Sequence, residues 1–336
     1  MTWPPSRPCP GLRTASVVIE HHQTRLRGKV HRVTIDLDPT DDPTHGAQQL
    51  TFFSGFYDTW CYLPIVGFLT FNDEPDQHLF SAVLRPGNAP AAKGAIGLLR
   101  QILRKLRVAF PKALFQIRLD GGFASPQVFD FLDEQLDVDY VVAMAKNKVL
   151  KRRAARLMGR VRKRSRRTRK SEREYGECFY AAGRWPAKRR VIIKAEAVQH
   201  PGRQMKDNPR FVVTNMSGDP QWIYEDVYCA RGDVENRIKE LHDGMSIGRT
   251  SCSKFFANQF RVLLTAAAYV LMQVVRGAAA KTDMARAQVN TIRERLLKLG
   301  ARVVATVRRV VVHLPAAFPD RESWTHIAQR LGADPG

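Results

Sequence analysis

Cysteine is scarce and widely spaced in this chain of 336 residues. The five cysteines, which form no C-x-x-C pair, are Cys9, Cys61, Cys178, Cys229 and Cys252. Disulfide scaffolds and zinc fingers need closely spaced cysteines, so the sequence excludes both classes and indicates a reducing compartment. The nine histidines contain no H-x-x-x-H pair, and no G-x-x-x-x-G-K-[ST] string is present. A histidine zinc site and nucleotide hydrolysis are therefore not indicated.

Long apolar runs are also lacking. The N-terminal stretch MTWPPSRPCPG has no apolar core of a signal peptide, and the longest apolar candidate covers only residues 262–275. A membrane span needs roughly 18 consecutive apolar residues, which this candidate does not reach. We therefore expect a soluble cytoplasmic protein with no membrane partner.

Acidic residues are few relative to basic ones. The chain has 32 Asp and Glu against 54 Lys and Arg, a formal net charge of +22. Such an excess implies a polyanionic partner, and nucleic acid is the first candidate. The apolar fraction of 44% is enough for a packed core, so we expect a folded protein.

The hydrophobic pattern predicts an α/β fold, a mixed sheet flanked by helices. HRVTIDLD alternates as a half-buried strand, and LTFFSGFYDTW and YLPIVGFLTF follow as two more strands of a meander, with LFSAVL as a further short run. A helix over 95–110, the strand ALFQIRLD, a helix over 127–134 and the strand DYVVAMA complete the order β-β-β-α-β-α-β.

Composition shifts divide the chain into five segments. Residues 1–29 are Pro-rich and polar and are predicted to be a poorly ordered lead-in, and residues 277–336 form a tail with a charged helix and a β-like run. Between them we place the first part of the core at 30–147, a basic, β-rich insertion at 148–222, and core helices at 223–276, where residues 255–275 are expected to be buried on most faces.

The insertion begins with a strongly basic run. Residues 148–173 contain fourteen Lys or Arg and one acidic residue, and part of the run has the apolar spacing of an amphipathic helix. We expect it to bind DNA phosphates through Arg152, Arg153, Arg162, Lys163, Arg164, Arg166 and Arg167. A solvated linker is the alternative, and a membrane-surface helix is disfavoured because the run lacks an aromatic and Leu-rich face.

Three acidic residues stand out by placement. Asp38 ends the first predicted strand, Asp120 ends the strand ALFQIRLD, and Glu235 lies in a later helical segment. Converging carboxylates are the hard oxygen ligands that Mg²⁺ prefers, and two such ions activate water and stabilise a leaving oxygen in phosphodiester cleavage. Taken singly, each acid is better explained as a turn former or a cap.

Tyr228, Arg231 and Glu235 are spaced three and four residues apart, which places them on one helical face. The arginine can hold a phosphate bidentately while the glutamate binds a cation. An ordinary surface Arg–Glu pair beside a packed tyrosine explains the spacing equally well.

These residues resemble a known family. Tyr228-x2-Arg231-x3-Glu235 is similar to the Y-(2)-R-(3)-E signature of bacterial cut-and-paste DDE transposases. The segments IDLDPTDDPTHG, FYDTWCYLP, LRPGNAP, RLDGGFASP, YVVAMAKN, RGDVENRIKEL and NQFRVLLTAAAYVL resemble, in order, the insertion-sequence family numbered 1380, over residues 31–315. The resemblance implies a ribonuclease H-like core interrupted by a β-rich insertion.

The resemblance also implies roles for individual residues. Asp38, Asp120 and Glu235 resemble the catalytic acids that hold two Mg²⁺ ions, with Mn²⁺ as a substitute, and Tyr228 and Arg231 resemble the phosphate contacts. Asp36 is the alternative to Asp38, which we prefer because Asp38-Pro39-Thr40 keeps the family's Asp shortly before Thr. The family's lysine seven residues after the glutamate is replaced by His242, and Lys239 is a candidate substitute.

The implied activity is cleavage at the ends of an insertion sequence and strand transfer into target DNA. Its partners would be double-stranded terminal inverted repeats and target DNA, bound by a dimer at the bacterial nucleoid. The alternatives are a truncated remnant that only binds DNA, suggested by the short N-terminal segment, and a ribonuclease H-like nuclease without strand transfer. Trp185 is a candidate for stacking on an extruded base, with plain packing as its alternative.

Overall fold

A computed structural model describes residues 12–183 and 185–333. Its helices are α1 (Leu12–Leu26), α2 (Ala95–Ala109), α3 (Pro126–Asp133), α4 (Lys148–Thr168), α5 (Pro220–Trp222), α6 (Gly232–Met245), α7 (Phe255–Ala278), α8 (Val289–Ile292) and α9 (Arg321–Arg330). Its strands are β1 (Arg32–Pro39), β2 (Asp42–Pro43), β3 (Phe52–Ser54), β4 (Thr59–Tyr62), β5 (Ile65–Phe71), β6 (His78–Val83), β7 (Leu114–Leu119), β8 (Val138–Met144), β9 (Glu172–Tyr180), β10 (Arg189–Val198), β11 (Lys206–Asp207), β12 (Arg210–Thr214), β13 (Arg302–Ala305) and β14 (Val310–His313).

The core is a mixed sheet in the order β6-β5-β1-β7-β8. β6, β5 and β1 are antiparallel neighbours, whereas β1, β7 and β8 are parallel and are joined by α2 and α3. The predicted order of elements is confirmed with one change: the third strand of the meander is β6, and LTFFSGFYDTW instead belongs to a separate three-stranded sheet, β2-β4-β3. This mixed α/β architecture is consistent with a ribonuclease H-like fold.

β1 is buried on both faces, so its prediction as a half-buried strand was wrong. It lies between β5 and β7, and helices pack against both sides of the central sheet. Val33, Ile35 and Leu37 form the apolar face expected from alternation. The opposite face carries Asp36 and Asp38, which are both buried. A charged group is stable in such an environment only when it is paired or hydrogen-bonded.

The basic insertion extends the core sheet. β12 pairs with β8, β10 pairs with β12, and both β9 and the short β11 pair with β10, which gives a sheet of nine strands in the described residues. α4 packs its apolar stripe against β9 and β10. The predicted strands and amphipathic helix of residues 148–222 are thus present, and they are continuous with the core.

Residues 12–26 form a helix, so the prediction of an unordered lead-in over residues 1–29 was wrong for this part, while residues 1–11 lie outside the described chain. Val18 and Ile19 of α1 are buried in the core. His22 stacks on Phe71 with ring centroids 4.3 Å apart and lies 4.1 Å from the ring of His78. Burial lowers the pKa of His22 to about 2, so this histidine is a neutral packing group.

α7 is long and apolar enough to pass the limits for a membrane span, which the apolar run read from the sequence did not reach. In its most apolar window 33% of the residues are buried, and the described residues contain no second such helix. Its buried polar residues bind core groups: Asn258 binds the backbone of Cys252, Gln273 that of Gln77, and Arg276 the carboxylate of Glu240. α7 is therefore packed against the core along one side. The expectation of burial on most faces was wrong, because Phe256, Phe260, Leu264 and Leu271 are exposed.

The C-terminal segments hold α6 in place. Glu240 of α6 accepts hydrogen bonds from Tyr269, Arg276 and the backbone N–H of Val289, at 2.6, 2.9 and 2.8 Å. The charged helix predicted in the tail comprises α8 and a π-helical turn at Arg293–Leu297, and the β-like run is the hairpin β13-β14.

Candidate active site

Two aspartates follow neighbouring parallel strands. Leu37 of β1 pairs with Leu119 of β7, so the next residues along the two strands, Asp38 and Asp120, lie at the same edge of the sheet. Asp38 remains within β1, opposite Val66 of β5. The parallel pairing therefore brings together two acids that are far apart in the sequence.

A tight turn fixes the orientation of Asp120. Its Oδ1 accepts a hydrogen bond from the backbone N–H of Gly122 at 2.9 Å and caps the 3₁₀ turn Gly121–Phe123. A Cβ atom at Gly122 would lie 2.7 Å from Cβ of Ala91, so the glycine lets the loop of residues 86–94 pack against this turn. Asp120 is therefore a helix cap, as one interpretation of the sequence predicted, and its Oδ2 makes no hydrogen bond to this turn.

The third acid stands on an interrupted helical segment. Tyr228 ends a π-helical turn at Ile223–Tyr228, Arg231 ends a 3₁₀ turn at Cys229–Arg231, and Glu235 lies in the first turn of α6. The prediction of one regular helix is therefore corrected, although Arg231 and Glu235 keep their shared face. π-helical turns of this kind are frequent at functional sites.

Arg231 lies between two of the acids. Its Nη2 is 2.7 Å from Oδ1 of Asp38, and its Nη1 is 3.8 Å from Oε1 of Glu235. The Arg231 side chain is buried, and its Nε has no hydrogen-bond partner among the described residues. The guanidinium places a positive charge between Asp38 and Glu235 and so offsets part of their negative charge.

The pKa of Asp38 depends on its burial and on the charged residues around it. Burial raises the pKa of Asp38 to about 7; Arg231 opposes this rise, and the negative charges of Asp120 and Glu235 add to it. Glu235 is the most exposed of the three acids. The three carboxylates thus share one electrostatic environment in which added negative charge is unfavourable.

Asp36 is committed elsewhere. Its two carboxylate oxygens accept hydrogen bonds from Nε and Nη2 of Arg118 at 2.8 and 2.7 Å, and its side chain is 0% exposed. Nη1 of Arg118 also donates to the carbonyl of Val227 at 3.2 Å. This buried pair ties β1 and β7 to the π-helical turn, and it leaves Asp36 without the exposed oxygen that a cation ligand needs.

The donor set suits a hard divalent cation. Asp38, Asp120 and Glu235 offer only carboxylate oxygens, which Mg²⁺ and Mn²⁺ accept together with water. In the described part of the chain, however, no three acidic, histidine or cysteine side chains are already arranged to hold an ion. The guanidinium of Arg231 binds Asp38 and lies near Glu235.

The other residues predicted at this site have different settings. Tyr228 is half-buried, and burial raises its pKa, with Arg231 opposing and Asp120 adding to the rise. Lys239 is exposed one turn after Glu235. His242 is half-buried, and its Nε2 lies 2.9 Å from Oγ1 of Thr40, so it is engaged within the protein.

Sequence reasoning missed two side chains beside the acids. Burial raises the pKa of Tyr57 to about 12, and the charges of Asp41, Asp38 and Asp120 add to this rise. The guanidinium of Arg85 donates to the carbonyls of Leu63, Pro90, Ala91 and Lys93, which shapes the loop against Gly122. Their only signal was position, inside the segments FYDTWCYLP and LRPGNAP.

The predicted DNA-binding residues on α4 fall into two groups. Arg162 is paired with Asp207 at 2.8 Å and Arg164 with Glu174 at 3.0 Å, so both are partly neutralised by the insertion itself. Exposed cations without an ion pair in the described chain are Arg152, Arg153, Lys163, Arg166 and Arg167. Arg156, which the sequence analysis did not select, belongs to the second group.

Trp185 is packed against its own segment. Its ring lies 4.9 Å from that of Phe129 and 5.6 Å from that of Tyr180, and the guanidinium of Arg189 lies 4.9 Å from its centroid. The packing alternative is therefore the correct one, since these neighbours occupy the ring surfaces that an extruded base would need.

The fold and this edge define an α/β protein with a cluster of carboxylates at the end of a mixed sheet. The chain matches the family described as Transposase DDE domain group 1 over residues 12–335, and it belongs to that family. The family-level prediction is confirmed, and the narrower family numbered 1380 stays a prediction.

No curated protein matches the sequence. Among solved structures, the chain is similar to piggyBac transposase in a cryo-EM structure of a synaptic complex with hairpin DNA, with a TM-score of 0.42 and 11% sequence identity. The match covers 71% of this chain and 46% of that one, so this chain spans about half the length of that protein.

Proposed function

We propose that the protein is a DDE transposase, similar to the insertion-sequence family numbered 1380, that cleaves DNA at the ends of its element and joins the freed 3′ ends to target DNA. The observation that carries the proposal is the parallel register that sets Asp38 beside Asp120 at one edge of the sheet, where Arg231 lies between Asp38 and Glu235. Membership in the transposase family supports the same reading.

The three carboxylates have a common task in this proposal. Asp38 and Asp120, on adjacent strands, and Glu235, on α6, would hold two Mg²⁺ or Mn²⁺ ions. Such ions activate water and stabilise the leaving oxygen of a phosphodiester. Asp36 keeps β1, β7 and the π-helical turn in register through Arg118, and so acts as a positioning residue.

Arg231 and Tyr228 face the scissile phosphate. Arg231 could exchange the carboxylate of Asp38 for a phosphate oxygen, and Asp38 would then be one of the residues that hold a cation. The tyrosine hydroxyl is a neutral donor, because its pKa is raised. Lys239 and the exposed cations of α4 extend the contact along the DNA backbone.

Two DNA ends must be cut and joined in one event, so we propose that a dimer acts on the paired ends. Binding to terminal inverted repeats and to target DNA would be largely electrostatic, given the net charge of +22. A nucleoid location follows from such binding.

Cleavage of supercoiled DNA that carries the element's terminal repeats tests the proposal. With Mg²⁺ we expect cuts at the repeat ends, lost in Asp120→Asn and Glu235→Gln. Asp233→Asn is the matched control, because Asp233 is an exposed acid two residues before Glu235 on the same helix, and it should retain cleavage. Persistent cleavage in either active-site variant would refute the assignment.

The same assay separates the alternatives. Cleavage without joining of the 3′ ends to a target plasmid would indicate a nuclease of the same fold. Salt-sensitive binding without cleavage in the wild-type chain would indicate a remnant that only binds DNA.

A further inference from the structure

A hairpin beside the acidic edge carries unusually exposed aromatic side chains. β3 and β4 are joined by the turn of residues 55–58, and Phe53, Phe56 and Trp60 are 52%, 88% and 56% exposed. Phe53 and Trp60 are cross-strand partners with ring centroids 6.3 Å apart. Large apolar side chains gathered on one short hairpin mark a binding surface rather than ordinary exposure.

The hairpin is anchored directly beyond Asp38. The backbone N–H of Thr40 donates to the carbonyl of Pro64 at 3.0 Å, and Asp42 pairs with Tyr62 at the end of β4. The chain that leaves the acidic edge after Asp38 therefore runs straight into the small sheet. Strand pairing sets the hairpin's position relative to this acid.

A second connection leads to Asp120. A Cβ atom at Gly87 would lie 2.0 Å from the carbonyl oxygen of Cys61, so the loop of residues 86–94 lies directly against β4. The same loop packs through Ala91 against Gly122, whose N–H binds Asp120. The hairpin and the turn that carries Asp120 are thus held by one loop.

Tyr57 connects the hairpin tip with the electrostatic field of the acids. It is half-buried, its ring lies 4.8 Å from that of Phe56, and the charges of Asp38 and Asp120 act on its hydroxyl. An aromatic path therefore leads from the carboxylates to the exposed Phe56.

We propose that Phe53, Phe56 and Trp60 of this hairpin bind unpaired nucleobases of the DNA, next to the phosphodiester held at the carboxylates. The inference rests on the proposed function. A nucleobase is flat and uncharged, so it can stack on these aromatic rings. The net charge of +22 favours nucleic acid as the partner of this chain, and therefore a base over the apolar face of a protein as the occupant of the hairpin.

Two short DNA duplexes with the same sequence test this inference. One is fully paired and the other has two unpaired 2-aminopurine nucleotides at its centre; both carry fluorescein and are titrated with Ca²⁺ in the buffer. We expect the wild-type protein to prefer the unpaired probe by roughly fivefold or more and to quench its 2-aminopurine fluorescence, because each base stack contributes to binding.

The variants locate the effect. Phe56→Ala and Trp60→Ala should lose both the preference and the quenching while binding the paired duplex as before, and Phe56→Tyr and Trp60→Phe should keep both. Phe256→Ala is the matched control, because Phe256 is 65% exposed on α7 outside the hairpin and should behave as wild type. The conservative variants keep the test valid if an alanine variant does not fold.

The outcomes separate this inference from the proposed function. Strong binding of the paired duplex with no preference for the unpaired one overturns the inference and leaves the transposase proposal standing. An unchanged preference in both alanine variants also overturns it, as does an equal loss of binding to both probes. Absence of binding to either DNA overturns the proposed function and the inference together.

Discussion

The exposed face of α4 should provide much of the electrostatic affinity for DNA. Leu150, Ala154, Met158, Val161 and Ser165 are the buried residues of this helix. At 100° per residue, the opposite face carries Arg152, Arg156, Lys163 and Arg167, all exposed. We call these four residues the basic ridge; it extends about 22 Å along the helix axis. Because the ridge residues make no ion pairs in the described chain, their charges are available for phosphates.

The size of the effect follows from counterion release. Each neutralised phosphate contributes about 0.9 to the slope of log affinity against log salt concentration. Replacing all four ridge residues by glutamine should therefore lower the slope by about 3.6 if each contacts one phosphate. Raising the salt fourfold would then shrink the affinity difference between wild type and variant by roughly 150-fold.

Fluorescence anisotropy of a labelled duplex across a salt series measures this slope. The charge-matched control replaces exposed cations outside α4 by glutamine: Arg27, Arg104, Lys112 and Lys281. This control has the same net charge as the ridge variant and should retain most of the slope. An equal fall in both variants, or a fall of less than about 1 in the ridge variant, would refute the assignment of the ridge as a DNA contact.

Two further properties can be predicted from single residues. Because the pKa of Asp38 is raised to about 7, protons compete with a cation below that pH, and Mn²⁺ affinity measured by calorimetry should fall about tenfold from pH 8 to pH 6. Glu240→Ala removes the buried partner of Arg276 and should lower the free energy of unfolding, measured with urea, by about 3 to 5 kcal/mol.

Each of these predictions has a matched control. Burial raises the pKa of Asp42 to about 7 as well, but its carboxylate is held by Thr250, so Asp42→Asn should leave the pH dependence of Mn²⁺ binding intact and Asp38→Asn should abolish it. Glu294→Ala removes an exposed pair with Lys298 and should change stability by less than about 1 kcal/mol. A pH-independent affinity, or equal destabilisation by the two alanine variants, would contradict the reasoning.

The sequence was most informative where structure is local. Period-2 and period-3.6 patterns located α2, β1, β6, β7 and β8 to within one or two residues and β5 to within three, whereas LTFFSGFYDTW was wrongly assigned to the core sheet. Ser125-Pro126 marks the start of α3 because serine caps and proline suits the first turn. α1 was missed because its polar positions and its Pro-rich surroundings hide a face that is buried against elements distant in the sequence, among them β6, α2 and α7.

Choices between equivalent residues needed tertiary contacts. Asp36 and Asp38 lie on the same face of β1, and alternation cannot rank them. Arg118, from the neighbouring strand, forms an ion pair with Asp36, whereas Asp38 forms its ion pair with Arg231. In the same way, the partners of Arg162 and Arg164 lie on β9 and β11, so only the packed insertion separates paired from available cations on α4.

The sequence by itself determined which reactive residues this chain has. The acids, the Tyr-Arg-Glu spacing and the excess of basic residues depend only on residue identity and order. Their arrangement was not, because it depends on pairings between distant segments. The parallel register of β1 with β7 brings Asp38 beside Asp120, and the pairing of β12 with β8 joins the insertion to the core. Such contacts form only when the whole sheet folds, since strand registers are set by burial and by neighbours far along the chain.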